Sequence, residues 1–129
     1  AGFPNLFTIT GPQSPSVLTN MPVAIEQHAD WIADCIAHMR ASGAEQIEPV
    51  PEVMDEWREK VQTAAEATLL ITAKSSWYLG ANVPGKPRAF LAWAGGMHVY
   101  RKICEDVVAN GYEGFTFSGA PHKEAAAAE

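Results

Sequence analysis

Apolar positions recur along the chain with the period of a helix in three places. The first predicted helix runs from about Pro22 to Ser42 and stops at Gly43. The linker EPVP ends at Pro51, which opens the second helix, and the third runs from about Met97 to Asn110. The apolar face predicted for the first helix comprises Ile25, Ala29, Ile32, Ile36 and Met39.

Short runs rich in β-forming residues predict strands between and around these helices. They are NLFTIT at 5–10, RAFLAWAGG at 88–96 and YEGFTF at 112–117. The resulting order is strand, helix, helix, loop, strand, helix, strand, which predicts an α/β fold of layered helices and short strands. We expect this fold to be incomplete on its own, and the chain to be a fragment.

Charge is unevenly distributed in a chain of 129 residues with a net charge of −6 and 47% hydrophobic residues. Residues 1–25 carry no charged side chain, so we expect them to lie against a partner surface. Residues 67–104 contain no acidic residue but five of the nine basic ones. This indicates either an uneven solvated surface or a local phosphate site. The negative net charge of the chain predicts no nucleic acid or anionic membrane as a partner.

Cys35 and Cys104 are the only cysteines, and each falls on an apolar helix face. This favours core packing in a reducing cytoplasm, with a disulfide left open. No second ligand pair accompanies Cys35 and His38, which argues against a metal site. His28 is expected to be packed and hydrogen-bonded, without a role in chemistry.

The segment SSWYLGANVPGKPRAF at 75–90 combines turn-forming glycines and prolines with a large aromatic and two cations. Turn geometry explains the former but not Trp77, Lys86 and Arg88. Nucleophile-elbow, P-loop, zinc-protease and dinucleotide-binding motifs are absent from the sequence. The residues themselves therefore predict a cofactor-contacting piece with a basic, aromatic loop.

Three blocks of the sequence resemble one enzyme family. They are GFPNLFTITGPQSPSVLTNMPVAIEQHADWI, SSWYLGANVPGKPRAF and YRKICEDVVANGYEGF. In this order they resemble the C-terminal quarter of flavin-dependent Baeyer-Villiger monooxygenases of the phenylacetone and cyclohexanone monooxygenase type. The resemblance implies an enzyme that uses FAD, NADPH and O2 to convert a ketone into an ester or lactone.

The resemblance also implies a domain organisation. Residues 1–118 are expected to form the C-terminal part of a Rossmann-like FAD-binding domain, including an NADP-contacting mobile loop at about 74–88. Residues 119–129 match no known pattern and are expected to be a disordered tail. The partners implied are the ketone, O2 and the N-terminal FAD and NADP domains of the same enzyme.

Individual roles follow only from the positions that match the family. Asn20 and Met21 match residues that approach the flavin at a helix N-terminus. Trp77 matches the aromatic of a loop that folds over NADP, and Lys86 is assigned to the cofactor as a phosphate contact, with plain surface charge as the alternative. The residues matched to the ketone site are Ser16, Val17, Leu18, Thr19, Phe90 and Leu91.

The chain departs from the family pattern at several points. Gln13 stands where relatives often have glycine, and one extra residue appears near Lys74. The two glycine-rich nucleotide fingerprints of the family are missing, so we expect the chain to be inactive by itself. The alternatives are a non-catalytic module that binds a phosphate-bearing ligand or partner through the basic loop, and a structural remnant.

Overall fold

Three helices and one small sheet make up the fold in the computed structural model, which describes residues 1–15, 18–73 and 76–119. Helix α1 spans Met21–Ser42, α2 spans Pro51–Glu66 and α3 spans Met97–Ala109. Strand β1 spans Gln46–Pro49 and β2 spans Phe115–Ser118. Two short 3₁₀ turns, Leu69–Thr72 and Trp77–Leu79, lie between α2 and α3.

The bounds of α1 and α3 and the start of α2 agree closely with the sequence prediction, because their signals are local. Pro22 lies in the first turn of α1, and Gly43 ends the helix in the left-handed conformation with φ of 71°. Pro51 begins α2 directly after Val50. Capping residues and helical periodicity are properties of neighbouring residues, so one sequence suffices to place them.

The predicted buried face of α1 was wrong for most of its length. Of the five residues proposed, only Met39 is buried, while Ile25 and Ile36 are exposed. The helix instead buries the series Ala24, His28, Cys35 and Met39. Apolar residues occur on more than one side of α1, so periodicity alone could not choose which side meets the rest of the chain.

Two of the three predicted strands are absent from the part of the chain that the structure describes. Segment 5–10 forms no ladder, and its ends Asn5 and Thr10 have positive φ values of 61° and 49°. Segment 88–96 is largely buried without strand pairing. A strand needs a continuous ladder, and the few backbone hydrogen bonds that join these segments to described neighbours do not extend into one.

The second half of strand β1 overlaps the linker predicted at 48–51, whereas β2 matches the end of the predicted strand YEGFTF. The two pair antiparallel, with Gln46 opposite Ser118 and Pro49 opposite Phe115. This pairing joins residues about 70 positions apart, which local patterns do not reveal. It closes one core cluster of the buried residues Cys35, Met39, Ile47 and Tyr112.

The second core cluster lies between α2 and the segments that precede α3. It contains the buried residues Val61, Ala65, Leu79, Phe90, Ala92 and Trp93. Trp57 packs against this cluster and stacks on Trp93 with ring centroids 5.1 Å apart, as expected for a core residue. Of the predicted site residues, Phe90 belongs to this cluster, and Leu91 lies between its members Phe90 and Ala92.

Candidate functional site

Three segments that are distant in sequence meet through backbone hydrogen bonds. The Gln13 amide donates to the Leu91 carbonyl at 2.9 Å, and the Trp93 amide donates to the Ser14 carbonyl at 3.0 Å. The Leu91 amide in turn donates to the Tyr78 carbonyl at 2.8 Å. We call these five residues the three-segment junction. They join the loop after Gly11, the loop at about 74–88, which we call the aromatic loop, and the segment before α3.

The first arm of the junction is a tight turn. The Ser14 hydroxyl donates to the Gly11 carbonyl at 2.7 Å, and the Ser14 amide donates to the same oxygen. Gln13 has φ of 68°, a left-handed conformation that costs a non-glycine residue about 1–2 kcal/mol. The turn delivers the chain toward the segment predicted to shape the ketone site.

That predicted ketone segment is only partly described. Ser16 and Val17 lie outside the described residues. Leu18 is exposed and Thr19 is half-buried, so the Leu18 side chain is available to a ligand or another polypeptide. Their role in ketone binding stays a prediction.

Helix α1 begins immediately after this segment with an uncapped N-terminus. Asn20 occupies the N-cap position with φ of −67° and ψ of 112°, yet its side chain makes no capping hydrogen bond. No acidic residue lies in the first turn. The positive end of the helix dipole at Asn20 and Met21 is therefore not neutralised by the helix itself, which suits an anionic group.

The aromatic loop presents Trp77 to solvent on a ladder of rings. The Trp77 side chain is 56% exposed and stacks on Tyr78 with centroids 4.0 Å apart. Tyr78 is in turn aligned with Phe90 at 6.1 Å. Among the described residues none accepts a hydrogen bond from the Trp77 indole N–H, so this donor and the ring face away from Tyr78 can contact a ligand.

Phe90 and Leu91, both predicted to line the ketone site, have different surroundings in the structure. Phe90 is only 1% exposed, and its ring belongs to the core cluster. Leu91 is half-buried and uses both its amide and its carbonyl in the junction. The pair therefore fixes the position of a wall, and its contact with a ketone stays a prediction.

The two cations of the loop also differ. The aliphatic stem of Lys86 lies over Gly80, where a Cβ added to the glycine would lie 3.5 Å from Lys86 Cδ, and the rest of the side chain is exposed. Arg88 Nη2 donates to the Ala73 carbonyl at 2.9 Å. Arg88 thus ties the two ends of the aromatic loop together, whereas Lys86 remains suited to a phosphate.

A separate cleft of about 420 Å³ opens between the three helices. Its walls are formed by Trp31 and Ile32 of α1, by Met54 and Trp57 of α2 and by Ile103 of α3. Of the ten predicted site residues, the eight that the structure describes do not line it. Gln13 belongs both to the junction and to the cleft wall, so the two features are adjacent.

His28 is packed and hydrogen-bonded as predicted. Its Nδ1 accepts a hydrogen bond from the Thr10 amide at 3.0 Å, and burial lowers its pKa. The imidazole is therefore neutral, with its proton on Nε2. That nitrogen is buried and has no hydrogen-bond partner among the described residues.

Sequence reasoning missed Gln13, Ser14 and Tyr78 as structural parts of the junction. The GP turn signal marked the first loop, but no local pattern showed what it would contact. In residues 1–15, 18–73 and 76–119 no group of three or more metal-ligating side chains comes together. Both cysteines are free thiols, and none of the described helices is long and apolar enough to cross a membrane.

The sequence is 42% identical to an acetone monooxygenase (methyl acetate-forming) from Gordonia sp. (strain TY-5) over 118 residues, covering 91% of this chain and 22% of the relative. It is 40% identical to a Baeyer-Villiger monooxygenase from Pseudooceanicola batsensis over 110 residues, covering 85% of this chain and 20% of the relative. The chain is homologous to one part of the Baeyer-Villiger monooxygenases. It spans about a fifth of the length of these relatives.

The same relationship holds in three dimensions. A crystal structure of cyclohexanone monooxygenase from Rhodococcus sp. Phi1 bound to NADP⁺ superposes with a TM-score of 0.85 at 41% identity, covering 93% of this chain and 22% of that one. Two further relatives are named FAD-binding monooxygenases. No family model matches the chain.

Proposed function

We propose that this chain is one part of an FAD- and NADPH-dependent monooxygenase that inserts one oxygen atom of O2 into a ketone to give an ester or lactone. The observation that carries the proposal is the joint match to the NADP⁺-bound cyclohexanone monooxygenase, at 41% identity and a TM-score of 0.85 over 93% of the chain. In this proposal the segment completes a Rossmann-like FAD-binding domain, and its two free thiols fit a cytoplasmic enzyme.

The residues present fit both cofactors. The uncapped, acid-free start of α1 at Asn20 and Met21 offers a positive environment to the negative charge of a reduced flavin. The exposed ring of Trp77 and its indole donor, which has no acceptor among the described residues, fit a nucleotide, and Lys86 fits its phosphate. When bound, FAD supplies the reaction with O2 and NADPH supplies the electrons.

The chain itself contributes positioning and exclusion of water. The three-segment junction holds Gln13 and Ser14, which precede the predicted ketone segment 16–19 in the sequence, against Leu91 and Trp93. Trp77 stacks on Tyr78, which is aligned with Phe90, and acts as a lid over the nicotinamide nucleotide. The lid movement of loop 74–88 is part of the proposal.

A chimeric enzyme tests this function with the chain in place. The matched 118 residues of the Gordonia acetone monooxygenase are replaced by the corresponding residues of this chain. We expect the chimera to bind FAD and to form ester from ketone in an NADPH-dependent reaction, whereas the host without the segment does not. A folded, flavin-containing chimera that oxidises no ketone would contradict the proposal.

The alternative binding module makes a different prediction for the isolated chain. A module that holds a phosphate-bearing ligand through Lys86 should bind nicotinamide nucleotide without the rest of the enzyme. The proposed enzyme segment should not, because the other side of the site is supplied by the remaining four-fifths of the relatives. Calorimetric titration of the isolated chain with NADP⁺ distinguishes the two.

A further inference from the structure

The chain makes a compact turn just before the predicted ketone segment, and we call residues 8–14 the strained turn. Two of its non-glycine residues have a left-handed backbone, Thr10 with φ of 49° and Gln13 with φ of 68°. Positive φ is uncommon for any residue with a side chain and a genuine outlier for a β-branched one such as threonine. A Cβ added to Gly11 would overlap the Thr8 side chain, so the turn is also too tight there for another residue. Backbone outliers of this kind persist only where their surroundings hold them.

Contacts at two places hold the strained turn. Its C-terminal end belongs to the three-segment junction, where Gln13 and Ser14 bond to the segment before α3. Nearer its start, the Thr10 amide donates to His28 Nδ1 at 3.0 Å. The direction of an amide N–H depends on the backbone dihedrals around it, so this bond favours the left-handed conformation of Thr10 over a relaxed one. A side chain of α1 therefore holds the β-branched outlier of the turn.

His28 is fixed in the orientation that this bond requires. It is 7% exposed and packs edge-on against Tyr100 of α3, with ring centroids 5.5 Å apart. Burial lowers its pKa, so Nδ1 keeps the lone pair that accepts from the Thr10 amide. His28 Nε2 and the neighbouring Gln27 Oε1 are covered by the protein and have no hydrogen-bond partner among the described residues, so neither atom offers a surface to a ligand. Nδ1 is therefore the atom through which this side chain can act.

The bond between Thr10 and His28 closes a loop of the chain. This loop, 10–28, contains the predicted ketone segment 16–19 and the start of α1, where the flavin is proposed to bind. The ketone segment thus connects two held elements, the strained turn and α1, and the bond fixes one relative to the other. Misplacing a substrate-positioning element by about 1 Å can lower a rate about 100-fold.

We propose that His28 is a positioning residue, whose Nδ1 latches Thr10 in its left-handed conformation and so sets the position of the ketone segment 16–19 relative to the flavin end of α1. This inference rests on the proposed function, because the segment that is positioned is the predicted ketone segment. His28 itself touches neither flavin nor ketone. It acts through the backbone of the strained turn, so its loss should change how the ketone is held and leave nucleotide binding as it was.

Two substitutions of His28 separate the latch from simple packing. His28→Phe keeps a ring beside Tyr100 but removes the acceptor. His28→Asn loses the ring but keeps an acceptor, because its Oδ1 lies two bonds from Cβ, as Nδ1 does. In the chimera we expect His28→Phe to lower kcat/KM for the ketone about 10- to 100-fold. His28→Asn should stay closer to the wild-type kcat/KM, although the cavity that it leaves should give it the lower Tm. The NADPH KM should stay near the wild-type value in both.

A substitution at the other end of the bond tests the conformation itself. Glycine adopts positive φ at little cost, so Thr10→Gly should lessen the need for the latch. In the Thr10→Gly background, His28→Phe should lower kcat/KM for the ketone about threefold or less. The matched control is the Gln13→Gly background, in which the other left-handed residue is relieved and the full loss should remain. If His28→Phe does not retain flavin, His28→Leu, which also lacks an acceptor, replaces it.

Two results would overturn the proposal. They are a ketone kcat/KM that falls at least as far for His28→Asn as for His28→Phe, and an equal loss for His28→Phe in the wild-type and Thr10→Gly backgrounds. A wild-type chimera that holds FAD but forms no ester contradicts the proposed function instead. The latch is then judged by thermal unfolding of the same proteins, in which His28→Phe should lower Tm less in the Thr10→Gly background. Equal decreases in Tm would overturn the latch.

Discussion

Trp77 is the residue whose surroundings differ most from those of a structural tryptophan, since it is exposed and rests on Tyr78. In the chimera, Trp77→Ala should raise the NADPH KM about 5- to 160-fold, because one hydrogen bond and an aromatic contact are worth about 1–3 kcal/mol. Less ester should form per NADPH consumed, with more hydrogen peroxide. Steady-state kinetics with a peroxide assay measure both.

The control for this variant is Trp77→Phe, which keeps the ring and removes the donor. Its NADPH KM should lie between those of the wild type and the alanine variant. Flavin content should be unchanged in both, because Asn20 and Met21 lie on another element. Unchanged KM and coupling in a folded Trp77→Ala protein would leave Trp77 without a role at the nucleotide.

Gln13 carries backbone strain at the three-segment junction. With φ of 68°, it has a conformational cost of about 1–2 kcal/mol that glycine does not, while glycine costs about 0.5–1 kcal/mol more in unfolded-state entropy. Gln13→Gly should therefore stabilise the isolated chain by about 0.5–1 kcal/mol in urea unfolding. Gln13→Ala removes the same side-chain amide but keeps the backbone strain, so it should not raise the free energy of unfolding. Equal changes in unfolding free energy for the two variants would show that position 13 is not strained.

His28 should make stability depend on pH. Burial lowers its pKa, so the unfolded chain binds a proton more readily than the folded one. The stabilisation is complete above the unfolded pKa of about 6.5 and is lost as pH falls below it, with a slope of at most about 1.4 kcal/mol per pH unit. Protonation of Nδ1 also removes the hydrogen bond from the Thr10 amide.

Urea unfolding between pH 7.5 and pH 5 measures this contribution. His28→Gln does not titrate in that range, so the difference in unfolding free energy between wild type and variant should shrink as the pH falls. A difference that is constant over the range would show that His28 keeps its ordinary pKa. Because both proteins carry the same carboxylates, their titration cancels in the comparison.

At the scale of elements, the start of α1 is the part most directly tied to flavin chemistry. Asn20→Asp places a negative charge at the N-cap, which should stabilise the helix by about 0.3–1 kcal/mol. In the chimera the same charge should disfavour reduced flavin and lower the two-electron potential by about 10–20 mV, which corresponds to about 0.5–1 kcal/mol.

The matched control lies at the other end of the same helix. Ser42→Asp adds an identical charge at the exposed last position of α1, far along the chain from the proposed flavin contact. A spectroscopic redox titration should show no change in potential for this variant. Equal shifts for both variants, or none for Asn20→Asp, would contradict a flavin at the helix start.

The elements also show what a single sequence reveals and what it does not. Caps and periodicity placed α1 and α3 within about a residue of their observed bounds, because those signals are local. Strand β1 was missed because its partner β2 lies about 70 residues away. The sequence singled out Trp77 because a large aromatic is unusual in a turn rich in glycine and proline. It did not reveal the role of Tyr78 or the three-segment junction, because backbone contacts between distant segments leave no local pattern.

At the scale of the whole molecule, the uncharged first 25 residues leave large apolar side chains in solvent. Phe3, Leu6 and Ile9 are exposed, as are Val23 and Ile25 at the start of α1. A surface of this kind marks contact with another polypeptide. It fits a chain that spans about a fifth of its relatives and is proposed to work only with the remainder.

A crystal structure of the chimera with FAD and NADP⁺ tests most directly whether this chain lines the cofactor sites. The predicted result places the flavin at the start of α1 beside Asn20 and Met21, and the NADP⁺ ribose within hydrogen-bonding distance of the Trp77 indole N–H. Leu91 should lie beside segment 16–19 on the ketone side of the flavin. A structure in which this chain folds as described but no atom of either cofactor contacts Asn20, Met21 or Trp77 would contradict the account.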